Sequence, residues 1–459
     1  MGATKYEDGM SQVRAVLDAA APLDYPPLMA RALLRQGLLH EKLGDYDEAE
    51  ASLVRAYELA VTQQMSSEVA QALNSLIQVV GDRLARTEDG LRWALHAEPW
   101  SEALGTDAAR AAYLDQRGRL AFLSGDYDAA KAYYERTLAL CESTLSEDRL
   151  LLARTLNRMG GVSRMLAQYD QAQAFYERSL ALLEDELGPS HPKLASILNN
   201  LGTALDQKGD WKTARSYRER ALAIRERALG PDHPLVASVL LNLGESEAAH
   251  GDPQQARAWL ERALEIRIEA FGPEHPSVAM SLGTLANLAK DQARFDEARD
   301  YFERALAIAE ATSGPTHQLV GRIQFNLARV HIQTGNLDAA QVANEAAQVS
   351  FSANFGDEHP LVAASLESLG LIAIQRKQYD EAVPLLERAI AIEEHSEGQG
   401  PPARFRWNLA LALWNASEGR DRPRALEQAT LARAAFAAQG ESAEIAVEEI
   451  DAWLETHRL

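Results

Sequence analysis

Apolar positions along the chain come in paired segments, and each pair is joined by a short polar turn. Within a segment an apolar residue recurs every three or four positions, which predicts amphipathic helices that bury one face. In the first pair Gly37 stands twelve positions before Ala49, and Ala56 follows seven positions later. Small side chains at these places let two helices approach closely, and a turn of three or four residues makes the pair antiparallel.

The pairs repeat with a spacing that settles at 42 residues. A glycine and an alanine mark this spacing most clearly. They occupy Gly188, Gly230, Gly272, Gly314, Gly356 and Gly398, and Ala130, Ala172, Ala214, Ala256, Ala298, Ala340 and Ala382. A sustained period of this length indicates a solenoid in which each repeat packs on its neighbours.

The junction between repeats reads GPDHP around Gly230. We expect the glycine to close one helix in the left-handed αL conformation, and Pro234 to begin the next with Asp232 or His233 near its N-cap. The recurring histidines do not suit a metal site, because packed helices lie about 8–10 Å apart whereas zinc ligands lie about 2 Å from the ion. They are interpreted as caps, and no metal is predicted.

The predicted fold is all-α, a superhelix of about ten helix-turn-helix repeats. Residues 1–28 form an N-terminal helix or linker, which is either a cap on the array or the tail of a linker. Residues 29–104 hold two repeats, and the second is degenerate because Gly90 replaces the alanine and Pro99 predicts a break. Residues 105–439 form the regular array, and residues 440–459 form a C-terminal capping helix.

Composition narrows the possible partners. The 459 residues carry a net charge of −21, which disfavours nucleic acid and anionic membrane surfaces. Cys141 is the lone cysteine, so no disulfide framework is expected. The N-terminus lacks the apolar core of a signal peptide, and no apolar run is long enough to span a membrane. We expect a soluble, cytoplasmic protein.

The motifs LNNLGTAL and ERALAI, the aromatic residue after the turn and the alanine pair resemble tetratricopeptide repeats. The likeness is to the 42-residue form of kinesin light chains and many bacterial signalling proteins, and it covers roughly residues 29–439. The opening segments, DYPPLMARALLRQGLLHEKLGDYDEAEASLVRAYELA and GLRWALHAE, resemble arrays attached to serine/threonine kinases of the myxobacterial type. The kinase motifs themselves are absent from the sequence.

No catalytic motif is present, since GxxxxGK[ST], GxSxG, HExxH and CxxC do not occur. The glutamates of the ERAL segments stand beside arginines and are interpreted as a solvated face of ion pairs. The sequence therefore predicts a protein that is not an enzyme and has no cofactor.

The resemblance implies that the first helix of each repeat lines a concave groove, where asparagines bind the backbone or terminal carboxylate of a peptide. We assign Asn200, Asn242, Asn326 and Asn408 to equivalent places in that groove. An amide offers a donor and an acceptor together, so it suits an extended backbone. The alternative is that each asparagine caps or bridges neighbouring helices.

Two arginine stripes on the same predicted face indicate an acidic partner. Arg322 and Arg329 flank Asn326 on one helix, and Arg154 and Arg158 lie one turn apart with Arg119 facing them from the preceding repeat. Guanidinium groups bind carboxylates in a bidentate manner. The alternative is that they pair with acidic residues of the second helices. Phe325 and Trp407 fall on the same face, either as peptide contacts or as half-buried packing.

The favoured function is a non-catalytic scaffold that binds a peptide or partner protein in the groove through acidic side chains or a free carboxylate. The alternative is a regulatory or sensor region of a serine/threonine kinase signalling system, with a kinase as the partner.

Overall fold

The chain is built of helices only, as far as the computed structural model describes it, which is residues 2–23, 25–395, 402–417 and 421–457. These helices divide into two compact units, Met1–Gly230 and Pro231–Leu459. Within each unit consecutive helices pair as antiparallel neighbours, and we call the first helix of a pair the A helix and the second the B helix. The predicted all-α repeat architecture is confirmed.

Unit 1 begins with a single helix, α1, which a short 3-10 turn (Ala21–Leu23) separates from five A–B pairs. The helices are α1 Gly2–Ala20, α2 Pro26–Leu43, α3 Tyr46–Thr62, α4 Ser66–Leu76, α5 Thr87–Ala103, α6 Asp107–Leu123, α7 Tyr127–Ser143, α8 Arg149–Met165, α9 Tyr169–Leu187, α10 Leu194–Lys208 and α11 Trp211–Leu229.

Unit 2 contains five further pairs and a final helix that follows a short 3-10 turn (Gly440–Ala443). The helices are α12 Pro234–His250, α13 Pro253–Phe271, α14 Pro276–Asp291, α15 Phe295–Ser313, α16 Gln318–Gln333, α17 Leu337–Phe355, α18 Pro360–Gln375, α19 Tyr379–His395, α20 Ala403–Asn415, α21 Arg422–Ala437 and α22 Glu444–Thr456.

In most pairs a glycine on the A helix faces a large side chain of the B helix. In the third pair Gly118 faces the ring of Tyr134, and a Cβ atom at Gly118 would lie 2.5 Å from the tyrosine Cε1. Gly160 receives Tyr176 in the same way in the next pair. The buried rings fill the space between helices, so the glycines set the distance at which the helices pack.

The glycines that end the B helices have a positive φ, but they are not in the αL conformation that the sequence predicted. Gly230 has φ 94° and ψ 158°, and Gly272 has φ 84° and ψ 161°. This extended region with positive φ is open essentially to glycine alone. The large ψ directs the chain away from the finished helix and into the next junction. Gly398 lies outside the described residues.

The junction histidines cap the helices that follow, as the sequence predicted. Nδ1 of His233, His275, His317 and His359 accepts the backbone N–H two residues later, at 3.1–3.2 Å. Pro234 opens α12 as expected, because a proline at the first helical position gives up no hydrogen bond.

The degenerate second pair departs from the others in its A helix. After α4 the chain continues as a π-helix over Ile77–Arg83. Gly81 of this π-helix packs against Gly90 of α5. A Cβ atom at Gly90 would lie 2.6 Å from the Cα of Gly81, so the two backbones are in direct contact. Pro99 does not break α5, which continues to Ala103. The predicted break at Pro99 is therefore wrong.

The last helix, α22, packs on the preceding pair. Ile450 is fully buried in a cluster with Ala410, Ala429 and Ala432. Trp453 and Leu454 pack against the same cluster. α22 therefore covers an apolar face of α20 and α21.

Candidate peptide-binding surface

In unit 2 the A helices contact one another, α12 with α14, α14 with α16 and α16 with α18. We call their common surface the A-helix face. It holds a depression of about 450 Å³ that spans three A helices. The lining residues are Ser238, Leu241, Asn242, Glu245, Arg267, Ala279, Met280, Gly283, Thr284, Asn287, Phe302, Leu319, Arg322, Ile323 and Asn326.

Three of the residues that the sequence assigned to binding lie together in this depression, namely Asn242, Arg322 and Asn326. Arg329 lies on the same helix as Arg322, one turn beyond Asn326, but it does not line the depression. Both arginines are exposed. Neither has an acidic oxygen within 4 Å among the described residues. Their charges are therefore available to a ligand.

A third cation, Lys290, lies close enough to Arg329 for their charges to interact. Burial lowers the pKa of the Lys290 ammonium group, and the nearby charge of Arg329 acts in the same direction. Lys290 donates a hydrogen bond of 3.2 Å to Asn287, and Asp291 lies 3.5 Å from its ammonium group. Because Asp291 lies beside Lys290, the lysine charge already has an acidic partner within the chain, whereas Arg322 and Arg329 have none among the described residues.

Arg267 is a lining residue that the sequence interpretation missed. It comes from a B helix and is buried, and it donates to the carbonyl oxygen of Ser277 at 2.8 Å and to the hydroxyl of Ser281 at 3.1 Å. Burial lowers its pKa. The sequence carried only a partial signal, because the 42-residue register places another arginine, Arg225, in the preceding repeat and apolar side chains such as Leu183 and Phe351 in others.

A smaller depression of about 230 Å³ lies on the A-helix face of unit 1. It brings together the predicted residues Arg119, Arg158 and Asn200, whereas Arg154 lies outside it. The other lining residues are Phe122, Tyr134, Asn157, Gly161, Arg164 and Tyr176.

The predicted arginines of unit 1 already have acidic partners within the chain. Arg119 binds Asp82 with two parallel hydrogen bonds, of 2.9 and 3.2 Å. Arg158 lies 3.1 Å from Oδ1 of Asp115 and donates to the carbonyl oxygen of that residue at 3.0 Å. Arg154 lies 3.6 Å from the same carboxylate. These acidic partners sit on the preceding A helices, not on the second helices that the sequence suggested.

The asparagines differ in their surroundings. Asn200 donates to the side chain of Asn157 at 3.2 Å and so bridges α8 and α10. Asn408 is not equivalent to the other three, because the 42-residue register leads from Asn326 to Ala410. Asn408 is buried and donates to Oε1 of Glu367 at 2.8 Å. Its assignment to the open groove is therefore corrected.

Both predicted aromatic contacts pack against other parts of the fold. The ring of Phe325 lies 6.0 Å from that of Phe351, edge to face, beside the apolar core of the later repeats. The ring of Trp407 lies 5.5 Å from that of Trp453 in α22. Both rings are half-buried, so each offers only part of its surface to a ligand.

Glu367 is a buried acid at the far end of the A-helix face of unit 2. Burial raises the pKa of its carboxyl group, against the opposing effect of Arg404, whose Nε lies 3.5 Å from Oε2. Together with Asn408, these contacts form a local network that links α18 to α20.

Two further properties concern the part of the chain that the structure describes. No group of three or more histidine, cysteine, aspartate or glutamate side chains there is placed to hold a metal ion. None of the helices described is both long and apolar enough to cross a membrane.

Family models of the tetratricopeptide repeat match most of the chain. One model matches five overlapping segments, residues 107–185, 151–226, 194–269, 236–311 and 277–348. Two other tetratricopeptide repeat models match residues 1–63 and 362–403. No curated protein matches the sequence.

Three solved structures of repeat proteins are among those that match this chain. A putative kinesin light chain from Podosopora anserina with nearly identical TPR-like repeats is 26% identical, with 45% of this chain and 98% of that chain covered and a TM-score of 0.40. A Rap protein complexed with Competence and Sporulation Factor is 14% identical, with coverage of 80% and 97% and a TM-score of 0.53.

The third similar structure is a signal transduction ATPase from Pyrococcus horikoshii with a tetratricopeptide repeat sensor. It is 13% identical, with 79% of this chain and 52% of that chain covered and a TM-score of 0.54. The last two likenesses concern the fold. With family models matching more than half of its residues, the chain belongs to the tetratricopeptide repeat family.

Proposed function

We propose that the protein is a non-catalytic scaffold that binds a peptide or partner segment with acidic groups on the A-helix face of unit 2. The observation that carries the proposal is the pair of exposed arginines, Arg322 and Arg329, without an acidic oxygen within 4 Å among the described residues. In a chain of net charge −21, cations left unpaired on one face favour an anionic ligand.

The neighbouring groups suit an extended peptide. Asn242 and Asn326 line the same depression and can donate to and accept from a peptide backbone. Met280 is 52% exposed at the depression and offers an adaptable apolar contact. The acidic side chains or terminal carboxylate of the ligand would reach Arg322 and Arg329.

Unit 1 serves as an internal comparison. Arg119, Arg154 and Arg158 are held by Asp82 and Asp115, so an incoming carboxylate would have to displace partners that are already in place. We therefore assign the main anionic contact to unit 2, and we expect the unit 1 arginines to contribute less to affinity.

Selection from a random-peptide phage library tests the proposal. The wild-type protein should enrich peptides rich in aspartate and glutamate, and Arg322→Ala/Arg329→Ala should weaken their binding by at least about tenfold, because hydrogen bonds to charged groups contribute about 1.5–3 kcal/mol. The matched control is Arg154→Ala/Arg158→Ala, which should retain most of the affinity. Failure to enrich acidic peptides, or equal losses in both double variants, would contradict the assignment.

The alternative function is a regulatory region of a serine/threonine kinase signalling system, and it rests on the resemblance of the opening repeats. In that case the partner would be a kinase. Affinity capture followed by mass spectrometry distinguishes the two, since recovery of a kinase with the wild type and not with Arg322→Ala/Arg329→Ala would favour the regulatory function. A cytoplasmic location fits both, because Cys141 is an unpaired, buried thiol whose pKa is raised by burial.

A further inference from the structure

Three arginines line the depression of about 230 Å³ on the A-helix face of unit 1, namely Arg119, Arg158 and Arg164. We call it the unit 1 depression. Arg119 pairs with Asp82, and Arg158 pairs with Asp115. Arg164 has no acidic oxygen within 4 Å among the described residues. One of the three positive charges is therefore uncompensated.

A fourth arginine adds to the excess of positive charge. Arg154, which lies just outside the depression, shares the carboxylate of Asp115 with Arg158. Four arginines thus face two aspartates, which leaves an excess of two positive charges. Asp206 of α10 takes the place of Arg164 in the 42-residue register, but it pairs with the buried Arg218.

Two buried tyrosines contribute neutral donors to the same depression. Tyr134 and Tyr176 both line it, and each side chain is only 1% exposed. Burial raises the pKa of both hydroxyl groups, against the opposing charges of Arg158 and Arg164. The hydroxyl groups are therefore protonated at neutral pH and can donate hydrogen bonds to an anion.

The space in the depression exists because position 161 is a glycine. In the 42-residue register the equivalent positions hold Arg119 and Thr203. A Cβ atom at Gly161 would lie 3.7 Å from the hydroxyl oxygen of Tyr176 and 3.9 Å from the ring of Phe122. These are ordinary contact distances, so helix packing does not require glycine here. A longer side chain would instead fill the depression.

The number and placement of the free donors favour a phosphoryl group over a carboxylate. Arg119 uses Nε and Nη2 on Asp82, and Arg158 uses Nη1 on Asp115. The N–H groups left for a ligand are therefore spread over three guanidinium groups. A phosphoryl group has three acceptor oxygens and a charge of about −1.5 to −2 at pH 7, which matches both the spread of donors and the excess of two charges.

A neighbouring depression indicates that the ligand is larger than a phosphate ion. This second depression, of about 410 Å³, shares Asn157 with the first. Its apolar lining comes from Leu150, Leu151, Leu183 and Ile197, and Leu150 is 40% exposed. Charged groups in the same lining are Asp148, Arg154 and Lys193. An apolar side chain next to a phosphorylated one would find its contact there.

We propose that the unit 1 depression binds the phosphoryl group of a phosphorylated side chain in a partner peptide. Arg164 supplies the unpaired charge, and the hydroxyl of Tyr176 and the remaining N–H groups of Arg119 and Arg158 donate to the phosphoryl oxygens. This site is separate from the A-helix face of unit 2, and it does not depend on the acidic ligand proposed there.

Two peptide libraries with random flanking residues test the proposal, one with a fixed phosphoserine and one with a fixed phosphotyrosine. The full chain should enrich phosphopeptides that carry an apolar residue near the phosphorylated one. Fluorescence anisotropy of the selected peptides should show binding at least about tenfold tighter than after phosphatase treatment, because the phosphoryl group makes the charge-assisted hydrogen bonds.

Variants of the protein locate the binding. Arg164→Ala should weaken it at least about tenfold, because it removes the unpaired charge. Gly161→Leu should weaken it similarly, because it fills the depression without removing a charge. The matched control is Arg178→Ala, which removes an arginine from an exposed pair with Glu142 outside the depression and should bind like the wild type. Circular dichroism verifies that each variant is folded, and Arg164→Ala decides the matter alone if Gly161→Leu does not fold.

Four results would overturn the proposal. The first is equal binding of the peptides before and after phosphatase treatment. The second is equal affinity of Arg164→Ala and Arg178→Ala. The third is equal binding of peptides with glutamate in place of the phosphorylated residue, because the site would then take any acidic ligand. The fourth is displacement of the peptide by inorganic phosphate at concentrations near the Kd of the peptide, because free phosphate would then be the occupant.

Discussion

Glycines inside the helices of this protein have opposite effects on stability, depending on what faces them. Gly118 and Gly160 receive the rings of Tyr134 and Tyr176, and they leave no room for a Cβ atom. Gly283, in the middle of α14, has no atom within 4 Å of the place where its Cβ would be. Glycine is therefore required for close packing at Gly118 and Gly160. At Gly283 it only costs backbone conformational entropy on folding.

Gly118→Ala and Gly283→Ala should change stability in opposite directions. The added methyl group at Gly118 collides with Tyr134 and should lower the free energy of unfolding by about 1–3 kcal/mol. At Gly283 the same change should raise it by about 0.5–1 kcal/mol, because alanine loses less backbone entropy in a helix. Urea denaturation followed by circular dichroism measures both. Equal effects at the two positions would show that contact with the tyrosine ring does not decide the outcome.

Individual contacts were the part of the candidate site that the sequence did not predict. The spacing placed Arg119, Arg154 and Arg158 on the A-helix face, but their partners Asp82 and Asp115 lie on preceding A helices. Asp82 reaches Arg119 from the π-helix, whose irregular backbone no periodic pattern encodes. The positions on the face were predictable, whereas the availability of each charge depends on side-chain geometry.

At the scale of the helix, the junction histidines act as polar caps whose acceptor can be protonated. Nδ1 of His359 accepts the N–H of Leu361 at 3.2 Å, and the ring stacks on Phe355 with 4.6 Å between centroids. A protonated Nδ1 cannot accept this hydrogen bond. Burial also lowers the pKa of His359. The cap therefore requires the neutral ring.

His359→Ala should lower the free energy of unfolding by about 1 kcal/mol at neutral pH, the usual cost of losing an N-cap. Because the folded-state pKa of His359 is lowered, its contribution is full above the ordinary value of 6.5 and declines as the pH falls through it. His359→Asn should keep the cap and remove that pH dependence, so it is the matched control. Urea titrations across this pH range measure the difference, and parallel curves for wild type and His359→Asn would contradict the expectation.

The helices themselves were predicted well because their apolar spacing is regular and their turns are short. The exceptions have local physical causes. The π-helix and the Gly81–Gly90 contact arise where the second pair loses the usual small-to-large packing. The sequence left open whether α1 is a cap or a linker. Its residue pattern matches that of the B helix α3 at a spacing of forty residues, which falls outside the 42-residue register.

At the scale of the whole molecule, charge is the dominant property that composition determines. The chain carries 67 acidic and 46 basic side chains of Asp, Glu, Lys and Arg. Many are paired on the surface, as Arg178 with Glu142 at 2.6 Å, but exposed pairs contribute little to stability. The net charge of −21 remains, and the repulsion between these negative charges lowers the stability of the folded state.

Added salt should therefore raise the melting temperature of the protein, because screening reduces repulsion between like charges beyond about 10 Å at 0.1 M ionic strength. The same salt should weaken binding of acidic peptides to Arg322 and Arg329. Differential scanning fluorimetry and anisotropy in sodium chloride series measure the two trends. A melting temperature that falls with salt would mean that the surface ion pairs outweigh the net repulsion.

Because the glycine junctions share one backbone conformation, a 42-residue repeat can be removed or added as a unit. Gly272 and Gly314 have φ of 84° with ψ of 161° and 159°, and each is followed by proline. Removal of residues 273–314 would join Gly272 to Pro315 and recreate the same junction. Recombination between copies of the gene segment can thus lengthen or shorten the array by whole repeats without creating a new backbone conformation. The length of such a protein can change in evolution while each surviving repeat keeps its own binding residues.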